Sequence, residues 1–193
     1  MAYNALPVLG KIGAIRVCRP EQGRPDVTLD SPALLVMTDL TRVSAAVTSP
    51  QDTMDQAHAT MIQRGVRMLL AIDSQQALAG IITTNDILGE KPVAVAQERR
   101  IRHSDILVAD IMTPCERLEA FDMHAVESAR VGQVVASLQH ARRHHALVVQ
   151  AAANGKNEVR GIFSLSQIAR QLGMSLALPA EAKSFAEIEA ALL

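Results

Sequence analysis

The 193 residues can bury one good core or two small ones, and 49% apolar residues is ordinary for a soluble globular chain, so extended disorder is excluded as a reading of most of it. A formal net charge of −1 offers no general attraction for nucleic acid or an anionic membrane, and any anion site has to be local. The two cysteines, Cys18 and Cys115, are far apart and lack CxxC spacing, which points to a reducing cytoplasm rather than a disulfide framework.

Residues 1–32 form an N-terminal extension rich in proline and glycine, with Ile12 to Val17 its one plausible strand. The run from Ala5 to Val17 is interrupted by Pro7, Gly10, Lys11, Gly13 and Arg16, so it does not read as a signal peptide, and no window approaches the roughly 20 apolar residues of a membrane span.

From Ala33 onward the chain repeats itself. Met37-Thr38 recurs as Met112-Thr113, an offset of 75. A helical pattern follows, with Met54, Ala57, Met61 and Ile62 expected on one face, and it corresponds to Val131, Val134, Leu138 and Gln139 at an offset of 77. Next comes an apolar run, Met68 to Ile72, matched at the same offset by His145 to Val149 and short enough to be a buried strand. The turn after it is four residues longer in the second copy and contains Asn154-Gly155, a strong turn signal. Gly80-Ile81-Ile82-Thr83-Thr84-Asn85-Asp86-Ile87 then pairs with Gly161-Ile162-Phe163-Ser164-Leu165-Ser166-Gln167-Ile168 at an offset of 81. Growing offsets are what loop insertions produce. Each copy therefore reads strand, helix, strand, strand, helix, an α/β (α+β) pattern in which neither copy can bury a comfortable core alone and the two are expected to pack across a shared sheet face. The bounds are 33–92 for the first copy, 93–107 for a linker, 108–173 for the second copy and 174–193 for a helical tail, where Ser184 to Glu187 reads as a capping box.

A strand ending in Gly-Ile-Ile-Thr-x-x-Asp-Ile, preceded by a hydrophobic strand and an amphipathic helix and present twice, resembles the tandem cystathionine-β-synthase (CBS) domain unit, the Bateman module. The resemblance covers about Ala33 to Gly173; the first copy matches well and the second in outline. It implies a stand-alone regulatory module without catalytic activity, packed as a pseudo-twofold pair and forming a homodimer. It also implies a regulatory ligand, AMP, ADP or ATP, whose state is relayed to a partner protein that the sequence does not name.

Thr83 and Asp86 carry the choice between a ligand site and a helix cap. A carboxylate can accept two hydrogen bonds from the vicinal hydroxyls of a ribose, while Thr followed three residues later by Asp also makes a near-standard capping box. In the second copy the same positions are Ser164 and Gln167, expected to keep the cap and to lose the diol grip, so an unequal pair of sites follows. By resemblance, Ser44 to Thr48, including Val47, and Arg67 to Leu69, including Met68 and Leu69, line the base; core packing explains Val47 and Met68 at least as well. Arg142 and Arg143 could reach a phosphate chain from the other copy, although solvated helix faces explain most such runs, including Arg99 to His103. His140 and His144 have metal-ligand spacing without an evident third ligand. No glycine-rich phosphate loop, nucleophile elbow or CxxC pair is present. The alternatives to a nucleotide sensor are a ligand-independent scaffold and a sensor of another adenosyl compound, such as S-adenosylmethionine or NAD.

Overall fold

A computed structural model describes residues 27–152 and 155–178. The expected strand at Ile12 to Val17 and the capping box at Ser184 lie outside the described residues.

In the first repeat, β2 (Val47–Thr48), α1 (Met54–Arg64), β3 (Met68–Ile72), β4 (Leu78–Thr83) and α2 (Thr84–Leu88) follow in order. In the second, β6 (Ala120–Asp122), α5 (Met123–Ser128), α6 (Val131–His140), β7 (His145–Ala151), β8 (Asn157–Ser164) and α7 (Leu165–Leu172) do the same. Helix α1 starts at a reciprocal capping box, in which the Thr53 hydroxyl accepts from the Gln56 N–H and the Gln56 amide oxygen accepts from the Thr53 N–H. It stops at Gly65, whose φ of 64° is the left-handed conformation that glycine adopts without a Cβ clash.

Met54, Ala57 and Met61 face the core as expected, but Ile62 is 71% exposed. Its counterpart Gln139 is also outside the core, which consists of Val131, Val134, Val135 and Leu138 on α6. The helical face is thus narrower than four consecutive matches suggested. Nor do the offsets only grow. Val47 pairs with Leu70 and Ala120 with Leu147, an offset of 73 at these parallel strands, because the loop before β2 is the longer of the two; the insertion holding α5 then reverses the difference.

The two four-stranded sheets have the orders β2-β3-β4-β5 and β1-β8-β7-β6, where β1 is Thr38–Asp39 and β5 is Thr113–Pro114. Each edge strand β1 and β5 therefore belongs to the sheet of the other repeat, which local sequence patterning cannot reveal. The exchange extends upstream. Ala33 and Val36 lie in the core with Val126, Val134, Leu138 and Phe163, while Val108 and Ile111, on α4 (Val108–Ile111), lie in the core with Met54, Met61, Leu69 and Ile82. Matching backbone hydrogen bonds fasten both crossings: Ala33 N–H to Ala129 O and Val108 N–H to Asp52 O, each 2.9 Å. A third cluster, Met68, Leu70 and Leu147 with Leu40, Ile81 and Ile162 packed around them, joins the two sheet faces, so the expected packing of repeat on repeat is present. Between the repeats, α3 (Lys91–Arg99) runs through the stretch expected to be a linker, with Val95, Ala96 and Ile101 packed on the first core.

Two glycines accept the exchanged strands. A Cβ on Gly80 would run into the Thr113 carbonyl oxygen of β5, and one on Gly161 would run into the Met37 side chain just before β1. The β1 crossing is also locked electrostatically. Arg160 grips both oxygens of the Asp39 carboxylate, with Nη2 donating to Oδ2 at 3.1 Å, and Thr41 donates to Oδ1 from its N–H at 2.8 Å and its hydroxyl at 2.6 Å. The Arg160 guanidinium, followed by the Thr41 hydroxyl, holds this carboxyl well below the usual carboxylate range. Among the described residues, no helix is long and apolar enough to cross a membrane.

Candidate functional site

Strand β4 delivers Thr83 to the start of α2, and the turn places Asp86 beneath it. The Asp86 Oδ2 accepts from the Thr83 N–H at 2.8 Å and the Thr83 hydroxyl at 2.6 Å, and the Asp86 N–H returns a bond to the Thr83 oxygen at 3.3 Å. The capping box expected from the sequence is formed. The carboxylate has a third partner that the motif does not announce: Lys91, at the start of α3, donates to Oδ1 and also to the Ile111 carbonyl at 3.2 Å. Asp86 is 9% exposed. With one donor on Oδ1 and two on Oδ2, the carboxylate retains accepting capacity chiefly on Oδ1.

This motif opens onto a cavity of about 310 Å³ between the repeats. Met68 and Ile81 from the first repeat, with Leu118 and Leu147 from the second, supply apolar walls, and Arg67 and Arg143 supply positive charge. Arg143 pairs with Glu119 at 3.4 Å, so two carboxylates and two guanidinium groups border the space.

A second cavity, of about 740 Å³, is its pseudo-twofold counterpart and is lined by Ser164, Gln167 and Arg170 of the second repeat and by Ser44, Arg64 and Arg67 of the first. The capping box expected at Ser164 and Gln167 is not formed. The Ser164 side chain makes no cap bond and lies 3.1 Å from the Ser166 hydroxyl, while the longer Gln167 side chain reaches the Thr38 hydroxyl of β1, 3.2 Å away. Glutamine carries one methylene more than aspartate, enough to meet the exchanged strand instead of its own helix start.

The remaining sequence candidates separate cleanly. Met68 lines both cavities. Leu69 is fully buried in the first core and lines neither cavity. Val47 is 49% exposed on β2 and also lines neither, and Ser44 to Ala46 border the second cavity, away from Thr83 and Asp86. Arg143 reaches the first cavity, whereas Arg142, at φ 51°, turns the chain after α6 and lines neither. Of the basic run before the second repeat, Arg99 pairs with Asp110 and Arg102 with Asp105. Among the described residues no group of three potential metal ligands includes His140 and His144. Sequence reasoning missed Lys91, Leu118 and Glu119. The five-residue step from Asp86 to Lys91 was a usable signal for the first, but the other two reach the site through the tertiary packing of the repeats.

His145 stands at the start of β7, where Met68 stands at the start of β3, and like Met68 it lines both cavities. Burial, reinforced by the neighbouring charges of His144 and Arg67, pushes its pKa down to about 4. The unfolded imidazole takes up a proton near its ordinary value of about 6.5, while the folded one stays neutral until about 4, so its contribution to stability falls as pH drops through that window. A His145→Gln variant is expected to lose less stability than the parent between pH 7.5 and pH 4.5, as read by urea midpoints; parallel losses would show that His145 titrates normally.

Residues 36–92 match the family model of the CBS domain. No curated protein matches the chain in sequence. Among solved structures, an uncharacterized conserved protein from Pyrococcus horikoshii is similar at 22% identity, with 79% of this chain and 100% of that one covered and a TM-score of 0.54. CBSX2 of Arabidopsis thaliana in complex with AMP is 22% identical over 75% of this chain and 94% of that one, with a TM-score of 0.51. A hemolysin-like protein containing a CBS domain, from Oenococcus oeni, is 19% identical over 75% and 91%, with a TM-score of 0.50. At these identities the likeness is one of fold. Residues 36–92 are thus similar to a CBS domain, and the chain has the fold of a CBS pair.

Proposed function

Starting from this similarity to a CBS domain and the fold of a CBS pair, we propose that the protein is a regulatory module rather than an enzyme, binding an adenosine nucleotide (AMP, ADP or ATP) in the cavity above Thr83 and Asp86. The observation that carries this reading is a nearly buried carboxylate, held rigid by Thr83 and Lys91, at the edge of a cavity with apolar walls and guanidinium groups. The remaining lone pair on Oδ1 suits one ribose hydroxyl, Met68 and Leu118 suit a base, and Arg67 and Arg143 suit phosphate. The complex of the structurally similar CBSX2 with AMP supports the same ligand class.

Because both repeats wall the cavity, a ligand that prefers one arrangement of the repeats shifts the balance between arrangements, and a partner protein reads the result. The reading includes a cytoplasmic homodimer; Ile62, Leu88 and Val93, exposed on α1, α2 and α3, are apolar surface that a second copy would cover.

Isothermal titration with AMP, ADP and ATP is expected to reveal saturable binding near one site per chain. Asp86→Asn, which keeps a cap acceptor and removes the charge, is expected to weaken it at least about tenfold, or 1.4 kcal/mol. No binding by a folded, nucleotide-free preparation would leave a ligand-independent scaffold, in which the occupied hydrogen bonds of Asp86 serve as a cap and a clamp on α3.

A further inference from the structure

In both repeats the third residue of the helix after the last strand is tied to the segment that crosses over to that repeat, but by different means. Gln167 on α7 accepts directly from the Thr38 hydroxyl of β1, 3.2 Å away. Asp86 stands at the equivalent place on α2 and is one methylene shorter. It reaches the corresponding stretch through Lys91, whose ammonium group donates to Asp86 Oδ1 and, at 3.2 Å, to the carbonyl oxygen of Ile111, two residues before β5. Leu172 occupies the position of Lys91 in the second repeat, so this tie belongs to the first repeat alone.

Lys91 thus joins the carboxylate that faces the first cavity, the start of α3 and the end of α4, where the chain turns into β5. The Thr83 donors to Oδ2 come from the same turn as Asp86, whereas the Lys91 side chain is half exposed and can withdraw into water. Two donors fill Oδ2, and Oδ1 has two accepting positions. With Lys91 on one of them a single further hydroxyl is accommodated, and a vicinal diol needs the place that Lys91 holds.

We propose that Lys91 is a displaceable clamp: an occupant of the first cavity that presents a vicinal diol to Asp86 takes Oδ1 from Lys91 and so loosens the start of α3 and its tie to Ile111, while an occupant with one hydroxyl leaves the clamp closed. This rests on the reading of that cavity as a nucleotide site and adds its output, because Leu88 and Val93, exposed on either side of Lys91, are carried by the two helices that the clamp joins. Competition for one oxygen is reciprocal, so the clamp weakens the diol as much as the diol weakens the clamp.

The test titrates AMP and 2′-deoxyAMP into the full chain and into Lys91→Met and Lys91→Arg, and follows amide exchange in α3 with and without saturating ligand. Lys91 is half exposed, so both variants are expected to fold, which thermal unfolding checks. The two ligands carry the same phosphate, so the charge lost with Lys91 cancels from the ratio of their affinities. The preference for AMP over 2′-deoxyAMP is expected to rise at least about fivefold in Lys91→Met and to keep the parent value in Lys91→Arg, which retains the donor. AMP, but not 2′-deoxyAMP, is expected to speed exchange in α3 of the parent. An unchanged ratio in Lys91→Met, or α3 exchange that AMP leaves unmoved, would overturn the clamp while the cavity remained a nucleotide site. No binding of AMP by the parent would overturn both, so the two failures are told apart.

Discussion

Phe163→Ala is expected to cost about 3–5 kcal/mol, the cost typical of emptying a buried aromatic site. Phe163 is fully buried on β8, where Ile82 stands on β4, and it fills the second core with Val126, Val134, Leu138 and Ile168. Its ring meets Phe121 edge-on, with centroids 6.1 Å apart and planes at 63°, a geometry that adds to the area it buries. Removing it also strips packing from Ala33 and Val36, the stretch that enters this core from the start of the chain. A domain has only about 5–15 kcal/mol of stability in total, so the variant should be marginal. Urea unfolding checks this, and a loss below about 1 kcal/mol would mean that the site collapses around the gap.

Gly80→Ala is expected to cost about 1–3 kcal/mol by overpacking, and more than Gly161→Ala. The two positions are pseudo-equivalent, but they differ in what opposes them. At Gly80 the obstacle is the backbone carbonyl of Thr113, fixed by the pairing of Gly80 with Pro114 and of Ile81 with Thr113. At Gly161 it is the Met37 thioether, which can swing aside. Thermal unfolding of the two variants gives the order directly. The reverse order would show that β5 peels away from β4 at little cost, and that the first sheet is closed by something other than this edge strand.

Much of this was legible because the chain says it twice. The run from Met68 to Ile72 became β3 with those bounds, and Gly80 to Ile87 became the end of β4 and the start of α2, since short apolar runs and a Thr-x-x-Asp cap are local signals. The destination of Thr38 and Thr113 was not legible. Two-residue strands carry no alternation, and which sheet they join is decided by distant packing. The site divided along the same line. Asp86 was named by its motif, and Lys91, five residues on, is the third donor to its carboxylate. Leu118 and Glu119 arrive from the other repeat. Ser164 and Gln167 misled because their types permit a cap, whereas their side chains engage Ser166 and Thr38 instead.

The exchange of strands also sets the order in which the protein can be completed as it is made. The first core needs Ile106, Val108 and Ile111, so it stays open until the chain has grown well past α3. The second core needs Ala33 and Val36, which are made long before the Phe163 and Ile168 they pack with. Neither repeat can close as a finished unit behind the growing end. The segment around Ala33 to Asp39 is made well before its mate, and its closure is a long-range step of the kind that slows folding.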